Sequence, residues 1–243
     1  MTPNPDPLVT PPVAGELPAA LAASTTLADF AEALANLPTV DAATASAALQ
    51  TRRDERIAEL LRQADLPARA VRFLGEFEKQ AAADQADGWG LARRQLAAQL
   101  ARKGGATLAL IGSQGLGKTV LAVDALQTAA RSLRTVRFTD VCGLLAALGD
   151  AKERGALRAE LEDWVAVDVL AIDQFDKVPD VSWEARWFFG LLDRRHNAER
   201  VTLLVGNLEP SAEAVAAAWG ESLAQRIEEA GGLIPCQWER VRA

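Results

Sequence analysis

The chain has 243 residues, 49% of them apolar and 24% charged, and its 33 acidic against 26 basic side chains give a net charge of −7. That is enough for one α/β domain with an accessory segment, and the acidic balance excludes indiscriminate nucleic-acid binding through global charge while leaving room for a local basic strip. No apolar run reaches about eighteen residues and no basic stretch precedes an apolar one near the start, so neither a membrane span nor a secretory signal is expected.

In chain order, residues 1–20 carry Pro3, Pro5, Pro7, Pro11, Pro12 and Pro18, a density no packed element tolerates, so this stretch reads as a disordered arm. Leu27–Leu37 sets Leu27, Phe30, Leu34 and Leu37 at helical spacing. A second helix is expected from about Ala43 to Ala64, ended by Pro67. Residues 21–66 thus form a small helical segment, either a hairpin packed on the main domain or a partner-docking module on a tether. Trp89–Ala101 is a further helix, stopped by Gly104-Gly105.

From Thr107 the pattern alternates. The apolar strand Thr107–Ile111 runs into Gly112-Ser113-Gln114-Gly115-Leu116-Gly117-Lys118-Thr119, which fits G-x-x-x-x-G-K-[ST], and the helix-prone Val120–Arg131 follows. The chemistry needs this spacing. Glycines let the backbone curl so that its N–H groups point at phosphate oxygens, and the positive end of the following helix adds to that field. Lys118 then reaches the β/γ-phosphates, and Thr119 offers its hydroxyl to Mg²⁺, so ATP and magnesium are the expected ligands.

Thr135–Phe138 reads as a strand, Asp140–Leu148 as a helix capped by Asp140, and Ala151–Val165 as a charged helix. Val167–Ile172 is a buried strand, Trp183–Ala198 a helix and Val201–Val205 a strand. Ser211–Gly220 and Glu221–Ala230 are helices, and Leu233–Cys236 is a last short strand. Such alternation specifies an α/β domain over residues 67–243, a parallel sheet covered by helices on both faces. Cys142 and Cys236 are far apart and His196 is the single histidine, so no zinc site is read. Two buried free thiols suit the cytoplasm.

Three further positions carry chemistry. Asp173 ends the apolar run Val169–Ile172, where its carboxylate holds Mg²⁺ through water. Asn207 follows the next strand through Gly206 and is placed to orient an attacking water. Arg226, within Leu223–Ile227, reads either as an arginine finger supplied to a neighbour's nucleotide or as an ordinary surface arginine of a helix.

The order of Gly112–Thr119, Asp173, Asn207 and Arg226 resembles that of an AAA+ ATPase. More narrowly, three stretches resemble the bacterial and phage replicative helicase loaders of the DnaC/DnaI type and the related IstB-type transposition helper ATPases. They are Ala58–Phe77 (AELLRQADLPARAVRFLGEF), Phe188–Asn207 (FFGLLDRRHNAERVTLLVGN) and Leu233–Arg242 with its Trp238-Glu239-Arg240. The resemblance implies a P-loop AAA+ sheet without a C-terminal lid domain. Lys118 and Thr119 would contact phosphate and magnesium, Asp173 would be the magnesium carboxylate, Asn207 the sensor and Arg226 the finger in trans. It also implies self-association through the ATPase domain, a grip on a replicative helicase through the N-terminal segment, and single-stranded DNA on the helix with Lys152, Arg154 and Arg158, and on Lys177.

One departure stands out. The residue after Asp173 is usually an acid in this family, and here it is Gln174. An amide hydrogen-bonds a water but cannot accept its proton, so hydrolysis is expected to be slow unless Asp176 or another group supplies the base. The function expected is a helicase loader, with a transposase helper and a slowly hydrolysing ATP-dependent tether as alternatives. A small-molecule phosphotransferase is disfavoured, because neither a substrate pocket nor a lid is signalled after the loop. Trp164, Trp183 and Trp187 flank the Asp173 strand, and core packing is the reading preferred over base stacking.

Overall fold

The computed structural model describes residues 26–35, 42–83, 88–102, 104–177, 183–229 and 232–238. The Pro-rich stretch 1–20 lies outside them. The chain divides into two compact units, Met1–Arg56 and Ile57–Ala243.

In the first unit, α1 (Leu27–Ala35) opens on a reciprocal cap. The Thr26 hydroxyl accepts from the Asp29 N–H at 3.1 Å, and the Asp29 carboxylate accepts from the Thr26 N–H at 3.2 Å, satisfying two donors that a helix start otherwise leaves bare. Phe30 is buried against Ala45, Ala48 and Leu49 near the start of α2 (Ala42–Arg62).

The second unit is built on five parallel strands in the order β2-β3-β4-β1-β5. These are β1 (Ala106–Gly112), β2 (Val136–Asp140), β3 (Val169–Asp173), β4 (Val201–Gly206) and β5 (Leu233–Cys236). Strand residues alternate between two cores. Leu108, Leu110, Ala171, Leu203 and Val205 face α3 (Ala68–Ala83), α4 (Gly88–Leu100) and α5 (Lys118–Arg131). Ala109, Ile111, Leu170, Ile172 and Leu204 face the helices of the other layer. Those are α6 (Val141–Glu153), α7 (Leu157–Ala166), α8 (Trp183–Asn197), α9 (Ala212–Trp219) and α10 (Glu221–Glu229). The expected sheet covered on both faces is therefore the observed one. The outer edge of β2 is covered in part by the turn after α2, whose Ala64 carbonyl accepts from the Phe138 N–H at 2.7 Å, blunting an otherwise open edge.

Two expectations need correction, and one helix lies outside the expected set. The charged region does not divide at residues 149–150. α6 continues to Glu153 because Leu144, Leu148 and Ala151 keep one buried stripe, and the chain turns at Gly155, whose φ of 71° suits glycine. α3 was not anticipated as a helix, although Ala70, Leu74 and Phe77 stand at i, i+4 and i+7 and are buried. Of the two cysteines expected to be buried, only Cys236 is; Cys142 is exposed in the first turn of α6.

Candidate nucleotide site

The strand order builds the site. β4 lies between β1 and β3, with Ile111 level with Gly206 and Val205 level with Asp173. The phosphate-loop segment, Asn207 and Asp173 therefore emerge side by side at the carboxyl edge of the sheet, where ligands of open parallel sheets bind. They line one cleft of about 590 Å³ together with Lys118, Thr119, Gln174 and Lys177.

The loop is shaped from outside as well as by its own glycines. Gly117 caps α5 at φ 77°, and a β-carbon there would lie 2.2 Å from the Phe77 ring, so only glycine accepts both the left-handed backbone and its neighbour. Phe77 itself leans on Trp89, with ring centroids 5.5 Å apart. On another side, the Trp238 indole N–H donates to the Leu116 carbonyl at 2.8 Å. Buried Cys236, just before it, has its thiol pushed up to about 12, chiefly by burial, so it is a neutral packing group rather than a nucleophile.

Lys118 is buried, and its ammonium donates to the Gly112 carbonyl (2.9 Å), the Ser113 carbonyl (2.7 Å) and the Asn207 amide oxygen (3.0 Å). Those three acceptors use its three donors. Burial lowers its pKa, opposed by the nearby Asp173 and Asp176 carboxylates. The Thr119 hydroxyl donates to Asp173 at 2.8 Å, and the other Asp173 oxygen accepts from the Gln174 N–H at 2.7 Å. Burial raises the pKa of Asp173 in spite of those two hydrogen bonds. A hydroxyl and a carboxylate this close form the hard-oxygen pair that Mg²⁺ takes, and the glycine-only curl at Gly117 fits a phosphate cradle. The residues present thus fit both groups.

Beyond Asp173 the chain is tightly constrained. Gln174 holds a left-handed φ of 57°, which costs a non-glycine residue on the order of 1 kcal/mol. The short 3₁₀ turn Phe175–Lys177 follows. Phe175 packs onto Gly206, where a β-carbon would lie 2.5 Å from its ring, and the Asp176 carboxylate accepts from the Asn207 N–H at 2.9 Å. Asp176 therefore fixes Asn207, a link the sequence did not reveal. The Lys177 ammonium donates to the Gln174 side-chain oxygen at 2.5 Å.

At the other end of the cleft, Pro67, Ala70 and Phe73 form an apolar wall, with the Arg69 guanidinium 5.6 Å from the Phe73 ring centroid. Such a surface can stack a nucleobase.

Arg226 is not part of this cleft. It is ion-paired with Asp193 and lies with Arg102, Gly105, Ala106 and His196 around a cavity at the amino end of β1. Seven strand residues separate that end from the loop, roughly 20 Å at the rise of a β-strand. Of the other singled-out groups, Arg158 is paired with Glu162 on the exposed face of α7. Trp164 is buried, donates to Glu160 at 2.9 Å and carries the Arg137 guanidinium on its face, so it is a packing residue. Trp187 is partly buried and packs against the second core, and the side chain of Trp183 lies outside the described residues. Among the described residues no histidine, cysteine and acid cluster could hold a metal by itself, and no helix is long and apolar enough to cross a membrane.

The model of one protein family, described as IstB-like ATP binding protein, matches residues 16–221. A putative ATP-binding protein of insertion sequence IS21 from Pseudomonas aeruginosa is 30% identical over 118 residues, covering 49% of this chain and 42% of the relative. One of insertion sequence IS232 from Bacillus thuringiensis subsp. berliner is 31% identical over 101 residues, covering 42% and 40%. The chain thus matches less than half the length of these curated relatives. Among solved structures, the DnaC helicase loader superposes with a TM-score of 0.54 at 23% identity over 60% of this chain and 87% of that one. AMPPCP-bound DnaA from Aquifex aeolicus gives 0.51 at 20% identity over 58% and 44%. Both share the P-loop AAA+ fold.

Proposed function

We propose a function that starts from family membership: the chain belongs to the IstB-like ATP-binding proteins, and it acts as a slow ATP switch that assembles on DNA and hands that DNA to a partner machine. The observation that carries this reading is the cleft in which Lys118, Thr119, Asp173 and Asn207 converge while the position beside Asp173 holds an amide.

In this reading Lys118 exchanges its bonds to the Gly112 and Ser113 carbonyls for phosphate oxygens. Thr119 and Asp173 hold Mg²⁺, which supplies neutralisation of phosphate charge. Asn207, bonded to Lys118 and fixed by Asp176, is positioned to register whether Lys118 has moved. Gln174 can orient a water but takes no proton from it, so the ATP-bound state is long-lived. Arg226 faces away from its own loop and serves a neighbour's nucleotide, which ties ATP occupancy to self-association. Single-stranded DNA lies on the strip with Lys152, Arg154 and Arg158.

The partner favoured is a transposase, because both curated relatives belong to insertion sequences. The second reading, delivery of a hexameric replicative helicase to single-stranded DNA, rests on the loader-like stretches Ala58–Phe77 and Phe188–Asn207. In either case the N-terminal segment is the proposed grip. Co-purification of the protein with a transposase and with a replicative helicase, each with ATP and with ADP, tests this. ATP-dependent capture of the transposase supports the first reading and capture of the helicase the second. Equal capture in ATP and ADP contradicts the switch.

A further inference from the structure

The contact between Gln174 and Lys177 has no part in the reading above. Lys177 is exposed, yet it lines the same cleft as Lys118 and Thr119, and its ammonium is tied back to the Gln174 side chain at 2.5 Å. The backbone repeats the tie, since the Lys177 N–H donates to the Gln174 carbonyl at 2.9 Å. Gln174 pays for this geometry with its left-handed φ of 57°. A strained residue whose side chain holds a cation at the rim of a phosphate cleft suggests a purpose for both.

We propose that Lys177 is a second cationic contact for the terminal phosphate of the bound nucleoside triphosphate, held in place by Gln174 acting as a positioning residue. The inference rests on the nucleotide reading of the cleft. Lys118 rises from the loop on β1's side, whereas Lys177 arrives from the end of β3, past Asp173. Two ammonium groups so placed approach phosphate oxygens from different sides. Lys118 serves any phosphate chain in the loop, and Lys177, beside the carboxylate that would hold magnesium, serves the outermost phosphate.

The amide matters for a second reason. With a carboxylate at position 174, the 2.5 Å contact would become an ion pair, and Lys177 would be withdrawn from phosphate. The neutral Gln174 orients the ammonium without neutralising it. The site thus exchanges a proton acceptor for a further cation, which favours holding ATP over cleaving it.

The test is the ratio of affinities for a non-hydrolysable ATP analogue and ADP, measured by calorimetry with Mg²⁺ on the full chain. Lys177→Gln, one atom shorter, keeps a polar end group and removes the charge. It should weaken analogue binding about tenfold, the loss of one charge-assisted contact, and leave ADP binding within about twofold. Lys177→Arg should restore much of the ratio. Gln174→Glu should also lower the ratio, because its carboxylate captures Lys177. An unchanged ratio in Lys177→Gln, with Lys118→Ala still strongly weakening binding of both nucleotides, overturns the role of Lys177 and leaves the site standing. Unchanged nucleotide binding in Lys118→Ala overturns the site itself.

Discussion

The two ends of the sheet hold comparable sets of buried charge and use them in opposite ways. At the amino end, Arg195 of α8 is fully buried and donates to the Thr202 hydroxyl (2.9 Å) and to the carbonyls of Trp164 (2.7 Å), Val167 (2.8 Å) and Val201 (2.6 Å). Asp168 beside it accepts from the Thr135 N–H and hydroxyl, at 2.9 and 2.8 Å, and pairs with Arg200. These contacts tie α8 to α7, to β4 and to the residues just ahead of β2 and β3. At the carboxyl end, Lys118 rests on loop carbonyls that a phosphate can replace, Asp173 is a carboxylate whose pKa burial raises, and Gln174 is strained. One end is saturated and the other keeps its bonding capacity exchangeable, as expected where stability is given up for binding.

That contrast can be broken from either side. The largest effect is expected from Lys118→Ala, which removes the ammonium proposed to meet the phosphates. ATP affinity by calorimetry should fall by roughly 100-fold or more, with little change in melting temperature. Arg195→Met should do the reverse. It strands the carbonyls of Trp164, Val167 and Val201, and the stability loss in a urea titration should be about 3 kcal/mol, because removing one member of a buried polar network leaves the others unpaired. The ATP affinity of the folded variant should be unchanged.

Asp173→Asn sharpens the comparison through its opposite signs. It should weaken Mg²⁺-dependent ATP binding about tenfold, the order expected for one charge-assisted contact. It should also raise the melting temperature at neutral pH. Burial raises the folded-state pKa of Asp173, so as pH rises the unfolded chain ionises first. The wild type is at no disadvantage below the ordinary carboxylate range and loses stability as pH climbs through the raised value. Thermal melts of both proteins across acidic pH should therefore converge at the low end and separate above it. The smallest effect is assigned to Trp238→Phe, which keeps an aromatic ring against the loop but removes the 2.8 Å bond to Leu116. About a fivefold weaker ATP affinity is expected from one neutral hydrogen bond.

The alternating strands and helices, and the loop motif with its lead-in strand, could be read from periodicity and glycine spacing alone. The position of β4 between β1 and β3 could not, since strand order depends on long-range pairing such as Ala106 with Val201 and Val169 with Val201. Yet that order is what brings Asn207 to Lys118. The Asp176–Asn207, Gln174–Lys177 and Trp238–Leu116 contacts were equally illegible, because each joins polar groups whose spacing follows no periodic rule. The helix α3 is carried by the i, i+4, i+7 spacing of Ala70, Leu74 and Phe77, which Pro67 just ahead of it obscures. The extension of α6 to Glu153 shows charged residues carried along by a buried stripe on the opposite face.

The central claim is that the cleft holds ATP and cleaves it slowly because position 174 offers no proton acceptor. Single-turnover hydrolysis at saturating ATP, with and without single-stranded DNA, tests it in the wild type, Gln174→Glu, Gln174→Glu with Lys177→Gln, and Asp176→Asn. The account predicts a slow wild type, little gain in Gln174→Glu alone because Lys177 engages the new carboxylate, and a gain approaching about 100-fold in the double variant, the lower range of general-base catalysis. Fast turnover by the wild type, unaffected by the changes at 174 and 177 and lost in Asp176→Asn, would contradict it and make Asp176 the base.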